Sequence, residues 1–212
     1  MLSNILLTPF DREMRRRGYQ LTRYADDWVV TCRSRREAEA ALRCAEKLLV
    51  TLGVRINSQK TRVVHARHGF AFLGYTIKRG GRALYLPAAQ IKSGARSGGL
   101  YAYPTQRSVD RFKDAVRRKT RRRIPLSTAG LIRELNPVIR GWGEYYKRAH
   151  VRRLFNQLDR WVVRRLWSHR YKRWRCTGWK TLPTPRLRGE LGLVGLVSLI
   201  PTLRLRPRAA TS

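Results

Sequence analysis

The chain has 212 residues, with 47 Lys plus Arg against 13 Asp plus Glu and a formal net charge of +34. Its 42% hydrophobic content, with six Trp and nine Tyr, is enough for a packed core and excludes a purely disordered basic tail. The length allows one or two domains. Thirty-eight of the 47 cations are Arg, whose guanidinium binds phosphate bidentately and stacks on rings, so the expected partner is nucleic acid, with an acidic membrane surface the weaker alternative.

Cys32, Cys44 and Cys176 are widely spaced and form no C-x-x-C, which speaks against a disulfide framework or a zinc ribbon and fits a reducing cytoplasm. Pro9 and Asp11 interrupt the apolar N-terminal stretch before a signal-peptide core forms. The longest apolar run, Leu191 to Ile200, is about half of a bilayer span. The expectation is a cytoplasmic protein with no membrane segment. Charge is uneven: residues 1–100 carry 19 basic and 7 acidic groups, net +12, and residues 101–212 carry 28 and 6, net +22.

In chain order, Tyr19 to Tyr24 and Trp28 to Arg33 read as two strands joined by Ala25-Asp26-Asp27, a hairpin with acidic residues at its turn. Ser34 and Glu37 form an S-x-x-E capping box. Ala38, Ala41, Leu42, Ala45, Leu48, Leu49 and Leu52 then follow at helical spacing until Gly53. Val54 to His65, Phe70 to Lys78 and Ala83 to Leu86 read as strands, with Gly80-Gly81 a turn between the last two. Residues 92–105, rich in Gly and Ser and ending near Pro104, read as a linker between two domains.

Beyond it, Ser108 is the expected cap of a helix bearing Val109, Phe112 and Val116 and running to about Arg123. Ser127 starts a short helix through Leu135. Asn136-Pro137 opens another, and Val151 to Arg175 forms a long third one. The expected fold class is therefore α+β, a short antiparallel sheet with helices followed by an all-helical domain.

The sharpest chemical feature is Tyr24-Ala25-Asp26-Asp27. A hairpin turn that presents adjacent carboxylates suits two-metal nucleotidyl transfer, although Asp is also a favoured residue of ordinary surface turns. LTRYADDWVVTCRS, a helix, and then GVRINSQKTRVVHARHGFAFLGYTI together resemble, in order and spacing, the blocks of a reverse transcriptase palm. LIRELNPVIRGWGEYYKRA, Leu131 to Ala149, is similar to the signature of the maturase-specific domain X of group II intron-encoded proteins.

The resemblance implies a partial palm over residues 1–91, a thumb-like domain X over 106–180 and a divergent tail over 181–212. It implies catalytic and Mg²⁺-binding roles for Asp26 and Asp27, a phosphate-facing Lys60, and a primer-grip block at Phe72, Leu73, Gly74 and Tyr75. The opening MLSNILLTPFDREM resembles the end of the family block that reads PQG and then SPLLSNILL. The chain is thus expected to start inside the palm, without the strand that supplies another metal-binding Asp. Asp11 and Glu13, in a stretch that reads as helix, offer no replacement ligand, so polymerase activity and Mg²⁺ binding are expected to be weak or absent in this chain alone.

In the second half Trp142, Tyr145 and Tyr146 read as packing residues, with Arg133, Arg140, Lys147 and Arg148 on the polar side as candidate nucleic-acid contacts. At about 100° per residue, Leu154, Leu158 and Trp161 share one helix face. Arg153, Arg160, Arg164, Trp167, Tyr171 and Trp174 share another, which suits RNA or a helix buried on two sides with snorkelling Arg. The histidines and cysteines lack the paired ligands of the HNH-type endonuclease found in some members of the family. Leu191 to Ile200 stays open between a strand, a partner-binding segment and a frameshifted remnant.

The resemblance implies group II intron RNA as partner, a DNA target or primer in the complete enzyme, and a separately encoded N-terminal half as a further one. The rival reading is a truncated, catalytically inactive remnant with non-specific nucleic-acid binding.

Overall fold

The computed structural model describes residues 2–80, 99–171 and 178–201. The chain is α+β and divides into two compact units, Met1–Arg79 and Gly80–Ser212.

The first unit runs α1 (Leu2–Arg16), β1 (Gln20–Tyr24), β2 (Asp27–Thr31), α2 (Arg35–Thr51), β3 (Phe70–Phe72) and β4 (Tyr75–Arg79). Leu7, Phe10 and Met14 recur at i, i+3 and i+7 on α1, a spacing that puts them on one stripe. That stripe packs on Leu21 of β1 and on Cys44, Ala45 and Leu49 of α2. Helix α2 starts where the sequence placed it. Ser34 Oγ accepts the Glu37 N–H at 3.2 Å, and the Glu37 carboxylate takes the Arg33 N–H at 2.8 Å. Gly53, at φ +72°, follows the Leu52 cap and ends the helix in a conformation that a Cβ would strain.

Two strand expectations are corrected. Val54 to His65 is irregular, because Asn57 diverts the backbone: its side-chain oxygen accepts the Gln59 N–H at 3.0 Å, and its carbonyl accepts the Lys60 and Thr61 N–H groups. Phe70 to Lys78 is a hairpin and not one strand, with Phe70 opposite Ile77 and Phe72 opposite Tyr75. Its turn residues Leu73 and Gly74 have φ +48° and +76°, the pattern of a tight two-residue loop for which only the glycine gives a sequence signal. The expected Ala83 to Leu86 strand lies outside the described residues, as does Gly81 of the turn before it.

The second unit runs β5 (Leu100–Pro104), α3 (Gln106–Lys119), α4 (Thr128–Tyr146), α5 (Arg152–Tyr171), the short α6 (Gly178–Thr181) and α7 (Thr184–Gly189), and a 3₁₀ turn at Val197–Leu199. The described end of the expected linker is thus β5, while 92–98 lie outside the described residues. Thr105, not Ser108, caps α3, accepting the Ser108 N–H at 3.3 Å. Ser108 lies inside the helix, where its hydroxyl accepts from Trp142 Nε1 at 3.1 Å and from Tyr146 Oη at 2.8 Å. The helix stops at Lys119, short of Arg123, with Thr120 as its C-cap.

The two helices expected on either side of Asn136-Pro137 are one, α4, with Pro137 inside it. An interior proline costs about 3 kcal/mol. Leu131, Ile132, Leu135, Ile139 and Tyr146 lie buried on both sides of it, and each such side chain contributes about 1.5–3 kcal/mol, so packing outweighs the break. Asn136 is no cap. Its amide donates to the Gly192 carbonyl and its oxygen accepts the Val194 N–H, both at 2.9 Å.

That pair belongs to the docking of the C-terminal segment. Leu182, Leu187, Leu193 and Leu196 are buried, and the Asp159 carboxylate on α5 accepts the Leu196 N–H at 2.8 Å and the Val197 N–H at 3.2 Å. Arg188 Nη2 donates to the same carboxylate at 3.1 Å. The apolar run Leu191 to Ile200 therefore packs as a turn and a 3₁₀ helix and not as a strand. Among the described residues no helix is long and apolar enough to cross a membrane.

Candidate functional site

The β1–β2 hairpin pairs Tyr24 with Asp27, which leaves a two-residue loop of Ala25 and Asp26. Asp27 is thus the first residue of β2, one step off the turn where the sequence suggested it. Both aspartates are exposed. Ala25 has φ +55°, a left-handed conformation at a loop position usually filled by Gly or Asn.

The acidic residues nearby in the sequence are occupied. Asp11 takes two bonds from Arg23, Nε to Oδ1 and Nη2 to Oδ2, each 2.7 Å. Glu13 is bridged by Arg16 at 2.8 Å and Arg17 at 2.7 Å, and hydrogen bonds from these two guanidinium groups hold its carboxyl down to about 2. Among the described residues, eight of the thirteen acidic side chains carry an ion pair to another described residue. Asp26 and Asp27 carry none among the described residues, in a chain with 47 cations to offer.

A cleft of about 230 Å³ opens beside the hairpin. Asp27, Lys60, Phe72, Leu73 and Gly74 line it, so residues up to 47 positions apart in sequence meet at one place. Trp28, Val29 and Ala71 complete the wall. The sequence reading did not single these three out, although strand neighbours of Asp27 and Phe72 are the natural places to look. Trp28 is fixed from behind by Phe10, ring edge to face at 5.8 Å between centroids. Asp26 and Tyr75 do not line the cleft; Tyr75 sits half-buried in β4 opposite Phe72.

In the second unit Arg133, Arg140, Arg148, Arg153, Arg160 and Arg164 are exposed, and Lys147 is half-buried and paired with Glu144. Trp167 and Tyr171 are half-buried and engaged: Trp167 Nε1 donates to the Leu182 carbonyl at 2.9 Å, and Tyr171 Oη shares a hydrogen bond of 2.6 Å with Thr181 Oγ1. Trp174 lies outside the described residues. Trp161, expected on the buried face, is half-buried with the Arg117 guanidinium 5.8 Å from its ring centroid.

Trp142 stacks on Phe112 at 4.7 Å and Tyr146 is buried, as packing residues should be, whereas Tyr145 keeps 52% of its surface exposed. Arg165 closes the end of α3, donating to Thr120 Oγ1 at 2.9 Å and Thr120 O at 3.1 Å. Burial lowers its pKa from the ordinary value, and the charges of Arg117 and Arg122 add to that shift.

The chain thus combines a cleft lined by Asp27 and Lys60 in its first unit with exposed Arg side chains on the helices of its second. Comparison with protein families matches residues 1–77 to the reverse transcriptase (RNA-dependent DNA polymerase) family and residues 109–184 to the group II intron maturase-specific domain. The chain belongs to the group II intron reverse transcriptase/maturases. None of the curated proteins compared with it matches.

Reverse transcriptases as a family use Mg²⁺. Asp26 and Asp27 fit that ion in donor type, since Mg²⁺ takes one or two carboxylates and completes its octahedron with water and phosphate oxygens. No group of three or more His, Cys, Asp or Glu side chains that could hold a metal forms among the described residues.

Proposed function

We propose that this chain binds group II intron RNA through its helical unit to assist splicing, and that the hairpin cleft is part of an RNA-directed DNA polymerase site acting on a primer or DNA target. The observation that carries the proposal is the order of the two family matches on one chain of net charge +34, the second covering helices whose outer faces present Arg133, Arg140, Arg153, Arg160 and Arg164. Exposed guanidinium groups neutralise RNA phosphates and release counterions, so affinity must fall with salt. We place this work in the cytoplasm, the reducing setting that three widely spaced cysteines suit.

In the cleft, Mg²⁺ when bound supplies neutralisation of developing phosphate charge. Asp27, with Asp26 beside it in the turn, would hold that ion. Lys60, which lines the same cleft, would offer an ammonium group to a phosphate, and the Phe72–Tyr75 turn would present backbone to the strand that carries it.

The test is equilibrium binding of the full chain to a group II intron RNA and to an unrelated folded RNA of equal length over a salt series. Replacing Arg153, Arg160 and Arg164 together by Ala is expected to lower the log–log salt slope by about one per lost phosphate contact, up to about three. An unchanged slope rejects this helix face. Equal affinity for both RNAs rejects intron recognition in favour of the non-specific remnant.

A further inference from the structure

We infer that Arg23 is the positioning residue of the Asp26–Asp27 pair, locking the hairpin turn to α1 while being kept off the two carboxylates by Asp11. The inference rests on the reading of that pair as a cation-binding element. Arg23 lies on β1 opposite Trp28, and its side chain is only 9% exposed, unusual for arginine.

Every bond of its guanidinium has a direction. Nε and Nη2 grip Asp11 on α1 at 2.7 Å each, and Nη1 reaches Asn4 Oδ1 at 3.0 Å, also on α1. The same Nη1 donates to the Ala25 carbonyl at 2.6 Å. One planar fork thus ties two points of a helix to the peptide that enters Asp26.

That peptide needs holding. Ala25 carries a Cβ at φ +55°, and left-handed backbone at such a residue persists only where its surroundings over-determine it. The other non-glycine residue with positive φ among the described residues is Leu73, which lines the cleft beside Asp27. Strain is therefore concentrated in the two turns next to this cleft, and Arg23 supports one of them.

The second half of the arrangement is electrostatic. Arg23 is three residues from Asp26 and would be its natural ion-pair partner. Asp11 saturates it instead, and Asp26 and Asp27 remain without a cationic partner among the described residues. A lysine could not replace it, because an ammonium is a point charge and cannot make the bidentate grip and the carbonyl bond together.

The experiment is Mn²⁺ titration of the full chain, read as free Mn²⁺ by electron paramagnetic resonance, with the Asp26→Asn/Asp27→Asn variant subtracted as background. Charge alone predicts that Arg23→Gln, by removing a positive group, tightens Mn²⁺. Positioning predicts the opposite sign: Arg23→Gln and Arg23→Lys each weaken the aspartate-dependent binding about tenfold, as loss of a residue that orients metal ligands does.

In an Ala25→Gly background, where the left-handed turn no longer depends on the clamp, Arg23→Gln should cost markedly less affinity; a purely structural role gives no such rescue. Should Arg23→Gln fail to fold, Arg23→Lys, which leaves a cation beside Asp11, decides the matter. Unchanged or tighter Mn²⁺ binding in the Arg23 variants overturns the inference alone. Absence of aspartate-dependent Mn²⁺ binding in the unaltered chain overturns the reading of the pair and the inference with it.

Discussion

Gly141 and Gly143 lie two residues apart on α4, and replacing each by Ala is expected to move stability in opposite directions. In a helix, Gly to Ala is favourable by about 0.8–1.0 kcal/mol, because glycine loses more backbone entropy on folding. At Gly141 nothing lies within 4 Å of an added Cβ, so Gly141→Ala should collect that gain and raise Tm by a few degrees.

At Gly143 the same Cβ would sit 2.5 Å from Leu199 Cδ1 and 2.9 Å from Leu196 Cδ2, closer than Cβ atoms come in real proteins. Leu196 is fully buried and its amide is held by Asp159, so it has little room to retreat. Overpacking of this kind costs about 1–3 kcal/mol, and contacts this short put Gly143→Ala at the upper end, where the cost exceeds the helical gain. Urea unfolding of the two variants beside the parent chain gives the answer directly. If both substitutions shift the midpoint in the same direction by similar amounts, the C-terminal segment does not pack on α4 as described.

Two further predictions concern buried and paired acids. Asp159→Ala removes the acceptor of the Leu196 and Val197 N–H groups, and leaving a buried donor unsatisfied costs about 1–3 kcal/mol, or roughly 10 °C in Tm. The half-exposed Arg188 pair adds little to that, so Arg188→Ala should cost much less; equal losses in calorimetry would refute the assignment. Glu13, held down to about 2 against an ordinary 4.5, contributes stability that is fully present above about pH 4.5 and is lost as pH falls through the folded value. The Tm gap between the parent chain and Glu13→Gln should therefore shrink from pH 5 to pH 2, and a gap that stays constant would show that the carboxylate charge plays no part.

What could be read from the sequence was what short-range physics decides. The Ser34–Glu37 cap, the apolar period of α2 and the Asp-bearing hairpin each depend on residues within a few positions of one another, and each formed. Asn136-Pro137 carries an equally clear local signal for a helix start, but the signal lost to burial on both sides of the proline and to a partner 56 positions away at Gly192. Thr105 and Ser108 are equivalent as caps on paper; the hydroxyl of Ser108 was claimed by Trp142 and Tyr146, more than 30 positions ahead.

The cleft was legible in its pieces and not in its assembly. Asp27, Lys60 and Phe72 to Gly74 were each marked by block resemblance, whereas Arg23, an ordinary-looking charged residue in a strand, shows its role only through Asp11 and Asn4 on a different element.

The grip of Asp159 on Leu196 and Val197 also sets an order of events during synthesis. When Asp159 is added to the chain its buried-to-be carboxylate has no amides to bind, and the surface of α4 around Gly143 stands uncovered, until Leu196 follows 37 positions later. A nascent chain halted before Leu196 would hold three helices around an unfinished apolar face with a stranded charge at its edge. Quality-control proteases and chaperones would meet such a chain as an incompletely folded one.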